Sequence, residues 1–125
     1  MEEIIVKGTS SSPEIEFYNN GELKMSGKSM PEDVNTIFNP LIDFVKSLSI
    51  SRVTFNFNLE YFNTATSKKL IDLLQHLDKN NKVDDIQINW HYEEGDEDSL
   101  ETAEIYQELL QRSKFEYHEY AETVN

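Results

Sequence analysis

The chain has 125 residues and no cysteine, which predicts one domain with its own core and excludes disulfides, thiolate metal sites and cysteine nucleophiles. Its 24 acidic and 11 basic residues leave a net charge of −13, a field that repels nucleic acid and anionic membrane surfaces. A hydrophobic content of 38% fits a globular chain, and neither a membrane-length apolar run nor a signal sequence is evident, so the expected location is the cytoplasm.

Glu3 to Lys7 is apolar at Ile4, Ile5 and Val6, a short strand. Gly8 to Ser12, closed by Pro13, has loop composition. Glu14 to Tyr18 and Leu23 to Ser26 alternate about Asn19-Asn20-Gly21, which predicts a hairpin over residues 14–27. Ser29 to Leu48 reads as a helix with Pro31 in its first turn. Val34, Ile37, Phe38, Leu41, Val45 and Leu48 form its apolar stripe, and Pro40 is expected to kink or split it.

Ser51 to Leu59 is a strand with Val53, Phe55, Phe57 and Leu59 on one face and Thr54, Asn56 and Asn58 on the other. A helix follows from Asn63 or Thr64 to Lys79, with either residue as its N-cap and Leu70, Leu73, Leu74 and Leu77 as its stripe. Asp85 to Tyr92 alternates as a strand. An acidic loop leads to a helix over residues 99–112, capped by Asp98 or Ser99, then to a strand at Phe115 to His118. Residues 119–125 are expected to be a frayed tail outside a domain spanning 1–118. The order β-β-β-α-β-α-β-α-β predicts an α/β fold: a mixed sheet, antiparallel at its N-terminal hairpin and parallel afterwards, with three helices mainly on one face.

Several chemistries find little support. Asp96 and Asp98 begin like a calcium loop, but Leu100 stands where the next ligand belongs. Gly8-Thr9-Ser10-Ser11-Ser12 lacks the lysine of a phosphate-binding loop. His76, His91 and His118 are scattered, so neither a metal nor another cofactor is expected. A small enzyme using carboxylates and a divalent cation at the C-terminal ends of the strands stays open as an alternative. The acidic surplus is concentrated in residues 93–125, with 11 acidic and 2 basic side chains, and reads as solubilising surface or the rim of a partner site.

The segment Leu59 to Ser67 is more informative. It places Asn63, Thr64, Thr66 and Ser67 where a core strand meets a helix N-terminus, whose free N–H groups and partial positive charge stabilise a phosphoryl group. A hydroxyl there is a candidate phosphorylation site; plain N-capping accounts for the same residues. A third possibility is a constitutive interaction module without a switch.

Gly8-Thr9-x-Ser11-x-Pro13, Met25-Ser26-Gly27-Lys28-Ser29-Met30-Pro31-Glu32, Phe38-Asn39-Pro40-Leu41 and Tyr61-Phe62-Asn63-Thr64, in this order, resemble the SiaC family of bacterial regulatory phosphoproteins. Trp90-His91-Tyr92 before an acidic loop fits the same pattern. The resemblance implies a fold similar to STAS-type anti-sigma-factor antagonists and a non-enzymatic switch. In that reading a cognate serine/threonine kinase phosphorylates a threonine and a PP2C-type phosphatase reverses it. The unphosphorylated form binds and activates a diguanylate cyclase, raising cyclic di-GMP and influencing aggregation and biofilm formation. The threonine corresponds to Thr64. The chain departs from the usual Ser-Ser at Ala65-Thr66, which leaves Thr66 as a secondary candidate. Tyr61, Phe62, Asn63, Thr64 and Lys68 are the expected partner-binding residues.

Overall fold

Hydrophobic alternation along the strands decides which face of the sheet is covered. The computed structural model describes residues 2–122. Six strands lie in one sheet in sequence order: β1 (Ile4–Val6), β2 (Glu14–Phe17), β3 (Glu22–Ser29), β4 (Ile50–Phe62), β5 (Val83–Glu93) and β6 (Lys114–Tyr120). β1, β2 and β3 pair antiparallel, and β3 to β6 pair parallel. The helices α1 (Val34–Ser47), α2 (Thr64–Asp78) and α3 (Glu97–Leu109) supply the parallel crossovers. Each crossover advances one strand in the same direction, so right-handed connection places all three on one face. The expected mixed α/β architecture is the one observed.

On that face Phe17, Phe55, Phe57 and Trp90 form a continuous aromatic row, with ring centroids 5.3, 4.0 and 5.2 Å apart. Leu41, Phe44 and Val45 of α1 and Leu70, Leu73 and Leu77 of α2 cover the row and are buried. Phe44 meets Phe17 edge-on at 5.5 Å, a favoured aromatic geometry. The opposite face is polar: Asn89 donates to Asn56 at 3.0 Å and Gln87 to Asn89 at 3.1 Å. The period-2 pattern of β4 thus separates core from solvent as read.

The hairpin turn depends on Gly21. Its φ is 91°, and a Cβ there would lie 2.3 Å from the Arg52 carbonyl oxygen, so both the backbone conformation and the space require glycine.

Several details differ from expectation. α1 begins at Val34, because the Asp33 carboxylate caps it by accepting from the N–H groups of Asn35 and Thr36; Ser29 ends β3 instead. Pro40 neither splits α1 nor enters the core. It lies on the exposed side, and its missing hydrogen bond is offset by buried Phe38, Leu41, Phe44 and Val45 around it. α3 is capped by Asp96, whose carboxylate takes the Ser99 N–H at 3.1 Å, rather than by Asp98 or Ser99. Ser99 is buried, its hydroxyl accepting the Trp90 indole N–H at 3.0 Å. Finally, Glu119 and Tyr120 belong to β6, held by Glu94 N–H donating to the Tyr120 carbonyl, so the strand outruns the expected end at 118. Residues 123–125 of the expected tail lie outside the described residues.

Two polar anchors fasten the far end of the helices. Asn80 donates to the carbonyls of Val45 and Leu48 at 2.8 and 2.9 Å, closing α1 against the end of α2. The Asp78 carboxylate, 6% exposed, accepts from the N–H groups of Gln111, Arg112 and Ser113 and from the Ser113 hydroxyl. Burial pushes its pKa up, but these donors outweigh burial and hold it below the usual carboxylate value. A carboxyl depressed by folding stabilises above its unfolded pKa and loses that contribution as pH falls through the folded one. Asp78→Ala is therefore expected to cost about 1–2 kcal/mol at neutral pH, by removing the acceptor of four part-buried hydrogen bonds. Chemical denaturation should show this difference shrinking toward acid pH in comparison with the wild type.

Candidate functional site

The extension of β4 to Phe62 builds the site. Glu60, Tyr61 and Phe62 are strand residues because β3 runs alongside them, pairing Lys28 with Tyr61 and Ser29 with Phe62 after an irregularity between Gly27 and Lys28. Gly27 has a φ of 89°, and this bulge redirects the end of β3. The chain then turns at Asn63 into α2. Asn63 is the N-cap: its side-chain oxygen accepts from the Thr66 N–H at 2.9 Å, and its carbonyl accepts from the Ser67 N–H at 2.9 Å.

The two threonines of this turn have opposite environments. Thr66 is fully buried. Its hydroxyl donates to the Ser29 carbonyl at 3.0 Å and lies 2.9 Å from the Ser29 hydroxyl. Ser29 also accepts the Asn63 N–H through its carbonyl at 3.1 Å, so β3, β4 and α2 converge on one residue. Thr64, the first residue of α2, is exposed, and its hydroxyl has no hydrogen-bond partner among the described residues. It stands beside first-turn N–H groups that lack intrahelical acceptors. A phosphate at Thr64 would meet donors and a positive helix end; one at Thr66 would require the Ser29 contact to open.

Around Thr64 the surface is apolar and locally basic. Tyr61 is 53% exposed and Met30 is 38% exposed. Phe62 is only half-buried, its ring edge-on to Trp90 at 6.2 Å, so it links the surface to the core. Lys28 and Lys68 are exposed, whereas Lys69 reaches Asn39 of α1 at 3.4 Å. The expected residues Tyr61, Phe62, Asn63, Thr64 and Lys68 are brought to one end of the sheet. Lys28 and Met30 were not among them. Parallel pairing of β3 with β4 carries them there, and no local pattern in the sequence reveals which strand is the neighbour.

The Gly8–Pro13 loop is also drawn in. The Thr9 hydroxyl oxygen accepts the N–H groups of Ser11 and Ser12, and the Ser11 carbonyl takes the Met30 N–H at 2.8 Å. On the other side Tyr106 of α3 donates to the Ser67 carbonyl at 2.8 Å and lies 2.7 Å from the Ser67 hydroxyl. Burial pushes its phenol up to about 12, the Ser67 hydrogen bond acting in the opposite direction. Because the phenol is held protonated, its contribution to stability is complete below pH 10 and is lost as pH rises from about 10 to about 12. Tyr106→Phe should remove this alkaline component; stability measured by denaturation across that range checks it.

The acidic loop reaches the same end of the sheet. A notch of about 180 Å³ is lined by Glu60, Tyr61, Phe62, Asp96, Asp98, Ser99 and Thr102. No group of three or more His, Asp or Glu side chains placed to hold a metal ion occurs among the described residues. His76 lies 3.4 Å from Asp72 on α2. His91 and His118 stack at 4.6 Å on the polar face of the sheet, where His91 shares a hollow with Asn56 and Asn58. Burial and then the neighbouring His118 charge lower the His91 pKa. No helix among the described residues is long and apolar enough to cross a membrane.

Comparison with known proteins supplies the context for this geometry. Residues 6–120 match the model of the SiaC family of regulatory phosphoproteins. A protein of Pseudomonas aeruginosa (strain UCBPP-PA14) is 29% identical over 113 residues, covering 86% of this chain and 90% of its own. The crystal structure of apo-SiaC from Pseudomonas aeruginosa superposes with a TM-score of 0.74 at 27% identity, covering 94% of this chain and 99% of that one. SiaC in complex with the diguanylate cyclase SiaD, which it activates, superposes with a TM-score of 0.78 at 26% identity, covering 94% and 99%.

Proposed function

The chain belongs to the SiaC family of regulatory phosphoproteins, and from that premise we propose that it is a cytoplasmic, non-enzymatic switch acting on a diguanylate cyclase. The unphosphorylated form binds the cyclase through the surface around Tyr61, Phe62, Asn63, Thr64 and Lys68 and raises cyclic di-GMP, with aggregation and biofilm formation downstream. A cognate kinase phosphorylates Thr64, and a PP2C-type phosphatase restores the binding form.

The observation that carries this reading is the contrast within one turn: an exposed, unbonded Thr64 hydroxyl beside a buried, bonded Thr66. Phosphorylation adds about −1.5 to −2 charges. A partner packed over Tyr61 and Met30 would have to desolvate that charge, which weakens binding without any need to refold the domain. The helix N-terminus and Lys68 stabilise the phosphorylated free form, and this shifts the equilibrium further toward release. Lys68→Ala should therefore leave capture of the unphosphorylated protein within about threefold, while narrowing the affinity gap between the two forms. Titration of both forms against the cyclase measures that gap.

The direct test is a turnover assay with the purified cyclase encoded in the same genome. Added unphosphorylated protein should increase cyclic di-GMP synthesis, and protein phosphorylated by the kinase should not. An unchanged rate with both forms would remove the cyclase from the proposal. Peptide mapping after the kinase reaction should locate the phosphate on Thr64.

A further inference from the structure

β1 is the outermost strand on the hairpin side of the sheet, with β2 along one side and no strand along the other. Half of its backbone N–H and C=O groups therefore point away from the sheet. Native edges are usually blunted by charge, proline, a bulge or a covering element. The opposite edge follows that rule: β6 carries Glu116 and Glu119, and its Tyr117 bonds Gln107 of α3 at 2.6 Å. β1 does not follow it. Val6 is 42% exposed, and Ile5 is 64% exposed, more than any other large apolar side chain among the described residues.

Strand pairing fixes the face that each residue occupies. Ile5 pairs with Glu16, Glu16 with Lys24, and Lys24 with Asn56, so Ile5 lies on the open polar face. Glu3 and Lys7 share that face by alternation. Ile4 and Val6 lie on the helix-bearing face, opposite the buried Phe17 and Ile15. The run Glu3-Ile4-Ile5-Val6-Lys7 reads acid, three apolar residues, base. Laid antiparallel on a second copy about a two-fold axis at Ile5, it sets Glu3 opposite Lys7, Ile4 opposite Val6 and Ile5 opposite itself. Opposite charges then meet at both ends and the exposed apolar residues are covered. Glu3 accepts the Asn19 N–H through one carboxylate oxygen at 2.9 Å, which leaves its second oxygen to meet the lysine. A slip of one residue would set Ile4 against Lys7 and put the helices of the two copies on opposite faces.

We propose that β1 is a self-association edge, at which two copies of this chain pair antiparallel about Ile5 into one sheet running through both. Main-chain hydrogen bonds between the edges supply affinity, and the alternating side chains supply register. A hollow of about 190 Å³ lined by Ile5, Val6, Lys7, Glu14 and Glu16 gives room for the Ile5 side chain of the second copy. The strand is short and each copy carries a net charge of −13. The contact is therefore smaller than the roughly 800 Å² per partner of stable complexes, and it forms at high protein concentration. None of Glu3 to Lys7 lies on the Tyr61–Thr64 surface, so the edge stands independently of the switch.

Sedimentation velocity of the full chain should show the average mass climbing toward that of a dimer between about 10 µM and about 1 mM. Lys7→Glu and Glu3→Lys should each weaken association at least tenfold, because each sets like charges opposite one another. An equimolar mixture of the two variants restores opposite charges at both ends and should regain association as a mixed dimer. Circular dichroism confirms that both exposed substitutions leave the fold intact. The chain has no cysteine, so a single introduced thiol reports the register. Under mild oxidation Ile5→Cys should cross-link to a dimer at least tenfold faster than Ile105→Cys, a comparably exposed position on α3. A chain that stays monomeric throughout, or single charge variants that associate as the wild type does, would overturn the proposal. Equal cross-linking of the two cysteine variants would do the same.

Discussion

Thr64→Glu is expected to weaken capture of the diguanylate cyclase at least tenfold, about 1.4 kcal/mol, while Thr64→Ala binds as the unmodified protein does. The structure makes the comparison clean. Thr64 is exposed and its hydroxyl is unbonded among the described residues, so neither substitution removes a contact that holds the fold. Asn63, which carries the N-cap, is untouched. The glutamate places a carboxylate at the positive end of α2, a favourable position, so thermal stability should be retained. Surface plasmon resonance with immobilised cyclase measures the affinities, and thermal denaturation confirms that both variants fold. Equal capture by Thr64→Glu, Thr64→Ala and wild type would sink the switch.

Two positions away the same substitution should act on the fold itself. Thr66→Glu replaces a fully buried hydroxyl by a longer, ionisable group, at a point where β3, β4 and α2 meet through Ser29. Burying an unpaired carboxylate costs several kcal/mol, a large fraction of the stability of a domain this size. Far-UV circular dichroism should report loss of cooperative unfolding or failure to accumulate folded protein. Thr66→Val preserves shape and leaves the Ser29 groups short of a partner, for an expected cost of about 1–2 kcal/mol. Under the proposed switch the pair of threonines separates function from folding: a charge at Thr64 would be read by a partner, and a charge at Thr66 by the core.

What the sequence could reveal follows from which signals are local. Alternation in SRVTFNFNL and the leucine stripe of α2 are local, and each predicted its element and its buried face. The turn at Asn19-Asn20-Gly21 was equally plain, because left-handed backbone needs glycine. The start of α1 was harder: Pro31 and Asp33 both suit a helix beginning, and Ser29 could be placed in β3 only by its pairing with Phe62. Pro40 was given too much weight, since tertiary burial around it outweighs one missing hydrogen bond. At the site, Asn63 and Thr64 could be read as a helix start, but not the difference between Thr64 and Thr66, which depends on contact with Ser29, 37 residues away. The acidic loop, read from sequence as solubilising surface or the rim of a partner site, lies beside Tyr61 through the β4–β5–α3 connection.

The net charge of −13 is unevenly placed. The Thr64 turn carries Lys28 and Lys68 on its exposed surface, within an otherwise acidic molecule, while α3 gathers carboxylates without a base among them. Such a layout suits a protein whose state is read through local charge.

The most direct measurement is the affinity of the purified cyclase for two preparations of this chain, one unphosphorylated and one phosphorylated at Thr64 and confirmed by intact mass. Isothermal titration calorimetry should give a complex with the first and at least tenfold weaker binding with the second. Indistinguishable affinities, or tighter binding of the phosphorylated chain, would contradict the account.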